Sequence, residues 1–206
     1  MNTLTFYNQN ATTFFDGTIT ADMSDMHQFF LKHLSPKAHI LDFGCGSGRD
    51  SKAFKEAGYT VEAADGSEEL CKLAAEYVGI PVKHMYFQDL QEKNCYDGIW
   101  ACASILHLTW EELKDVIPKM TDALKENGVI YASFKYGDFE GEKNGRYFTY
   151  LTEERLERLL KEIAVETLDV SELLIGETVK TADVRKDREE ELWLNVILQK
   201  ISRNQK

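Results

Sequence analysis

The sequence predicts an α/β fold, a mostly parallel β-sheet with helices on both faces. Between residues 38 and 135 short apolar runs alternate with segments of helical period, which is how successive βα units read. Near the end, Leu192–Leu198 is apolar almost throughout, as a strand covered on both faces is. A length of 206 residues with 43% apolar content suits one domain whose core needs no metal or disulfide staple.

The elements follow in order. Met26, Phe29, Phe30 and His33 predict an N-terminal helix packed on the sheet. His39–Phe43 is the first strand, ending at Gly44-Cys45-Gly46-Ser47-Gly48. A helix begins near Gly48 and Asp50, passes Ala53 and Phe54, and stops at Gly58. Tyr59–Ala64 is the second strand. Ser67 caps the next helix, Glu68 and Glu69 occupy its first turn, and Leu70, Leu73, Ala74 and Tyr77 form its buried stripe. Val82–Phe87 and Gly98–Ala103 are the third and fourth strands. Trp110, Leu113, Val116, Ile117, Met120 and Leu124 mark a helix in which Pro118 predicts a kink or a broken turn. Asn127-Gly128 ends it before a fifth strand, Val129–Phe134. Leu156, Leu159, Leu160 and Ile163 give one more helix, and strands are expected at Val165–Val170 and Leu192–Leu198.

Two stretches fall outside this packing pattern. One is the N-terminal segment, residues 1–37, carrying Tyr7, Phe14, Phe15 and Thr18. The other is a polar connection from Tyr136 to Tyr150 with Arg146, Tyr147 and Phe148. Fifteen residues is long for a βα connection, and such loops are often lids or binding loops. They are read as a helical lid segment and a substrate-side loop.

Acidic residues outnumber basic ones 35 to 24, a formal charge of −11, which argues against a nucleic-acid partner held through phosphates. Cys45, Cys71, Cys95 and Cys102 form no Cys-x-x-Cys pair, so a reduced, cytoplasmic protein without a metal site is expected. No apolar run approaches a membrane span. The oligomeric state is left open.

The chemistry-bearing residues lie at the strand tips. Gly44, Gly46 and Gly48 let backbone approach a ligand where the first strand turns into a helix. Asp65 ends the second strand, twenty-one residues after Gly44, the spacing of a ribose-binding carboxylate. Asp89, following the third strand, has the chemistry to accept from an adenine amino group.

Together these features resemble the class I S-adenosylmethionine-dependent methyltransferases over essentially the whole chain. Ile40-Leu41-Asp42-Phe43-Gly44-Cys45-Gly46-Ser47-Gly48-Arg49-Asp50 resembles the first motif, Ala64-Asp65-Gly66-Ser67 the second, and Gln88-Asp89-Leu90 the adenine-side motif. Tyr96–Trp100 with Leu106-His107 resembles the fourth-strand region. Leu124–Gly128 resembles the turn before strand five, with Asn127 where a glycine is usual. Within the family the chain is similar to the small tellurite-resistance-type and small-molecule enzymes.

The resemblance implies a Rossmann-like, seven-stranded sheet with its last strand antiparallel, and S-adenosylmethionine as cofactor. It implies that Gly44, Cys45 and Gly46 contact the methionine half and that Asp42 lies beside its amino group. Asp65 would take the ribose hydroxyls, Gly66 or Ser67 would border the adenosine, and Gln88, Asp89 and Leu90 would bracket the adenine. Cys102 and Ala103 would line the sulfonium region. Arg49 stays open between a cofactor contact and a pair with a neighbouring carboxylate. His107, after the fourth strand, is the candidate general base. Tyr7, Arg146 and Tyr147 are candidates for the acceptor side, Arg146 for an anionic or aromatic group. The expected function is methyl transfer to a small molecule. The alternatives are a noncatalytic cofactor-binding partner subunit and an NAD-dependent oxidoreductase, whose loop would prefer Gly-x-Gly-x-x-Gly.

Overall fold

The computed structural model describes residues 2–166, 171–185 and 188–202. Three short helices, α1 (Thr3–Gln9), α2 (Ala11–Thr18) and α3 (Ser24–Leu31), precede the sheet. They are followed by β1 (His39–Phe43), α4 (Arg49–Glu56), β2 (Thr60–Asp65), α5 (Glu68–Val78), β3 (Val82–His84), β4 (Tyr96–Ala101), α6 (Trp110–Ala123) and β5 (Leu124–Lys135). Then come β6 (Glu140–Lys143), β7 (Arg146–Thr149), α7 (Glu153–Glu166), β8 (Ser171–Ala182) and β9 (Leu192–Ser202).

The seven-stranded sheet has the order β3-β2-β1-β4-β5-β9-β8. β1 pairs in parallel with both β2 and β4, and β9 runs antiparallel to β5 and β8. The chain winds outward from β1 to β3 and then returns to β4 on the other side of β1. That reversal opens a crevice at the carboxyl ends of β1 and β4, where sheets of this kind bind ligands.

Alternation along the strands divides the core. Leu41, Phe43 and Ile99 pack with Leu113, Val116, Met120, Leu156 and Leu159 in one layer. Ile40 and Trp100 pack on the other face with Phe30, Phe54 and Tyr131. Trp100 and Tyr131 stack with ring centroids 3.8 Å apart. Burying aliphatic and aromatic side chains of this size stabilises the fold by roughly 1.5–3 kcal/mol each. Ser67 accepts from the Leu70 N–H at the start of α5, and Gly79 ends that helix with φ +68°. Thr109 and Glu112 form a reciprocal capping box on α6, which runs unbroken through Pro118.

Several expectations need correction. The strand expected at Val165–Val170 does not begin at Val165, which is exposed at the end of α7; residues 167–170 lie outside the described residues, and the next described strand is Ser171–Ala182. The amphipathic stripe of α7 carries the helix further than the β-branched Val165 suggested. The third strand stops at His84, and Phe87–Asp89 form a single helical turn. The connection from Tyr136 to Tyr150, expected as a loop, contains the β6–β7 hairpin. Asn144 and Gly145 at its tip have φ +52° and +77°, the two-residue turn that suits right-handed strand twist. The N-terminal segment is helical, as expected: α1 and α2 supply Thr3, Tyr7, Phe14 and Thr18 to the lining of the crevice, and α3 packs Phe30 on the sheet. Among the described residues no helix is long and apolar enough to cross a membrane.

Candidate active site

The loop after β1 holds Gly44, Gly46 and Gly48 at φ +85°, +55° and +78°. The reasons for glycine differ. A Cβ on Gly44 would lie 2.4 Å from Ser104 Cβ, and one on Gly48 would lie 2.6 Å from Val78 Cγ2, so both are required by internal packing. A Cβ on Gly46 would meet only the Phe14 ring, at 3.1 Å, on the side of the ligand crevice. The N–H groups of Gly44 and Cys45 both donate to Ala64 O, which ties the loop to the tip of β2.

Asp65 stands at that tip. Its Oδ2 accepts from Gly46 N–H and its Oδ1 from Ser67 N–H, each at 2.8 Å. Burial pushes its pKa up, against the pull of these backbone donors, and among the described residues no side-chain cation is paired with it. A half-buried carboxylate with spare lone pairs and no paired cation among the described residues is a receptor for hydroxyl donors such as a ribose diol.

Asp42 lies behind the loop and does not line the cavity. Ser51 Oγ donates to its Oδ2 at 2.5 Å. Asp50 lines the cavity instead, in the first turn of α4. It accepts from Arg49 Nε and Nη2 at 2.8 Å, from His27 Nε2 at 2.9 Å and from Trp100 Nε1 at 2.9 Å. Burial and the Asp50 charge push Asp42 up. At Asp50 burial works in the same direction, but Arg49 and His27 outweigh it and hold the carboxylate well below the usual range. Asp50 is the residue that sequence reasoning undervalued; its signal was an acid directly after an arginine in the first turn of a helix.

Gly44, Cys45, Gly46, Asp65, Gly66, Gln88, Cys102 and Ala103 all line one cavity of about 470 Å³. Ser67, Asp89 and Leu90 do not. Ser67 caps α5 and donates to Asn8 Oδ1, Leu90 is in the core, and Asp89 is exposed on the single turn that replaces the end of the expected strand. Gln88 Nε2 donates to Glu112 Oε1 at 3.3 Å, so the capping glutamate of α6 also orients a cavity amide, a role the sequence did not signal. Burial pushes the Cys102 thiol up to about 12 and the Cys45 thiol well above its ordinary value, which makes both packed thiols rather than nucleophiles.

His107, Tyr7, Arg146 and Tyr147 line the same cavity. His107 Nδ1 lies 2.6 Å from Tyr147 O, and its Nε2 lies 2.8 Å from Tyr7 Oη. A carbonyl can only accept, so Nδ1 carries the proton and Tyr7 O–H donates to Nε2. Burial, assisted by Arg146 and Lys135, lowers the His107 pKa to about 4. Stability from the neutral ring is therefore full above pH 6.5 and is lost as pH falls from 6.5 toward 4, because the unfolded chain takes up the proton first. Acidification across that window is expected to remove up to about 3 kcal/mol through this residue. Urea unfolding at pH 7 and pH 5 checks it: His107→Gln should show a shallower loss than the wild type.

The roof is α1 and α2, anchored on both sides of the cavity. Tyr147 N–H donates to Thr3 Oγ1 on the hairpin side, while Thr18 Oγ1 donates to Ser47 Oγ and Ser67 Oγ to Asn8 Oδ1 on the loop side. The β8–β9 connection closes a further wall with Asp183 and Arg185, which the sequence had not singled out.

Comparison with known proteins places this geometry. Residues 40–128 match the model of a family described as a methyltransferase domain. An uncharacterized methyltransferase of Staphylococcus carnosus is 24% identical over 68% of this chain and 75% of its own. The N-terminal Xaa-Pro-Lys N-methyltransferase 2 of Danio rerio is 34% identical over 53% of this chain, a match spanning only 44% of that relative. Among solved structures, 1,6-didemethyltoxoflavin-N1-methyltransferase of Burkholderia thailandensis, with 1,6-didemethyltoxoflavin and S-adenosylhomocysteine bound, shares the fold with a TM-score of 0.73. It is 20% identical, over 96% of this chain and 85% of that one.

Proposed function

We propose that the chain, whose residues 40–128 match a methyltransferase domain, transfers a methyl group from S-adenosylmethionine to a small-molecule acceptor held under the α1–α2 roof. When bound, the cofactor supplies an already activated sulfonium methyl, so the protein's task is to position and desolvate the acceptor and to accept its proton. The observation that carries the proposal is one roofed cavity with Asp65 and the Gly46 backbone on one side and the Tyr7–His107 pair on the other.

The residues fit the cofactor. Asp65 would accept from the ribose hydroxyls, Gly46 would pass under the methionine half, and Gln88, oriented by Glu112, would border the adenine. Asp42, which accepts from Ser51 on α4, would act from behind the loop by holding the start of that helix rather than by contact. Asp89 and Leu90 would shape the adenine end without lining the cavity. Cys102 and Ala103 would line the region between the two halves.

On the acceptor side, the tautomer fixed by Tyr147 leaves His107 Nε2 as the proton acceptor. An acceptor O–H or N–H beside Tyr7 would lose its proton to Nε2, directly or with the Tyr7 hydroxyl passing its own proton on. The second reading is a peptide amino terminus, favoured by the Danio rerio relative's name. It requires α1 and α2 to swing off the cavity.

Titration calorimetry tests the cofactor assignment: S-adenosylmethionine and S-adenosylhomocysteine should bind and NAD should not. Absence of binding by both adenosyl ligands would overturn the proposal, whereas binding without turnover on any acceptor would support a noncatalytic partner subunit.

A further inference from the structure

Five cationic side chains line the cavity; Arg188 is exposed, and three of the other four are neutralised in place. Arg49 is paired with Asp50, Arg185 with Asp183, and Lys135 with Glu191. Arg146 differs. Among the described residues no carboxylate lies within ion-pair distance of it, its Nε is buried without a hydrogen-bond partner, and its Nη1 reaches only the Tyr7 hydroxyl, at a long 3.5 Å. Phe6 and Phe148 flank the guanidinium, with 4.6 and 5.2 Å from its carbon to their ring centroids. The side chain is therefore ordered by stacking while most of its donors are left over.

A chain with 35 acidic residues has no shortage of carboxylates to place opposite an arginine. Leaving a partly buried guanidinium without one costs desolvation that the flanking rings return only in part. A planar fork of donors facing a cavity matches a carboxylate or phosphate in two-point geometry. The formal charge of −11 adds a second consideration, since the long-range field repels anions and an anionic ligand needs a local cation to hold it.

We infer that the acceptor carries one anionic group, a carboxylate or a phosphate, and that Arg146 binds it; this inference rests on the methyl-transfer reading above and names its substrate class. The position suits the chemistry. Arg146 and His107 share Tyr7, so an anion seated on the guanidinium brings the rest of the acceptor beside the His107–Tyr7 pair. The same anion offsets the field of Arg146 at His107, the group that must take the proton.

The experiment uses the full chain saturated with S-adenosylhomocysteine and titrated calorimetrically with benzoate, phenyl phosphate and the neutral isostere benzamide. At least one anion should bind about tenfold or more tightly than benzamide. That preference should disappear in Arg146→Met and survive in part in Arg146→Lys, which keeps the charge and loses the fork. Which of the two anions binds tells carboxylate from phosphate recognition. Equal binding of benzamide, failure of both anions to bind, or a preference that persists in Arg146→Met would overturn the inference. S-adenosylhomocysteine affinity is measured in parallel and should be unchanged in Arg146→Met. A matching loss there would assign Arg146 to the cofactor's carboxylate and overturn the inference. Failure of the wild type to bind S-adenosylhomocysteine at all would instead defeat the methyl-transfer reading on which it rests.

Discussion

Replacing Asp65 by alanine is expected to weaken S-adenosylhomocysteine binding by about a hundredfold, which corresponds to roughly 2.7 kcal/mol. Two losses add. The ligand loses a charged acceptor for its ribose hydroxyls, and the N–H groups of Gly46 and Ser67, each 2.8 Å from the carboxylate, lose the acceptor that fixes the loop. The stability of the ligand-free protein should change far less. Burial already works against ionised Asp65, and removing a carboxylate that has no cationic partner among the described residues relieves that penalty while freeing two donors. The two readouts therefore separate a binding role from a structural one. Unchanged affinity would show that the ribose carboxylate lies elsewhere. Asp65→Asn is a sharper variant: its amide places a donor against one of the two backbone N–H groups and should also bind poorly despite its matched shape.

The largest effect on stability is expected at Asp50. Asp50→Ala leaves the Arg49 guanidinium buried without its partner and removes the acceptor of His27 and of the buried Trp100 indole. Breaking a buried pair by removing one member costs about 3–5 kcal/mol, since the remaining charge stays desolvated. For a domain of this size that is a fall in melting temperature of roughly 10 °C. Chemical denaturation of the ligand-free protein measures it directly. A loss below about 1 kcal/mol would show that Arg49 is screened like a surface pair. The network shows the neighbouring carboxylate that the sequence offered as one partner for Arg49, whose Nε and Nη2 donate to Asp50 while the residue also lines the cavity.

What the sequence disclosed follows from how local each signal is. The glycine loop, the acid at the end of β2 and the helix stripes are written within a few residues, and the strand tips came out in the right spatial order because parallel strands align them. Which acid faces the cavity was not written locally. Asp42 was expected there on its motif position, but strand alternation and the start of α4 put Asp50 there instead. Asp89 was placed by a strand that ends at His84, so the turn that follows leaves it exposed. The hairpin had a readable signal, Asn144-Gly145, that the polar composition around it obscured. Glu112, Phe14 and the Asp183–Arg185 pair reach the cavity only through tertiary packing, and no spacing in the chain announces them.

The acceptor class is the point on which the account depends most. Incubating the protein with methyl-labelled S-adenosylmethionine and a cell extract separated into metabolite, protein and nucleic-acid fractions tests it in one measurement. The roofed cavity predicts label in the metabolite fraction, lost when Asp65 is replaced by alanine. Label confined to protein or nucleic acid would contradict it.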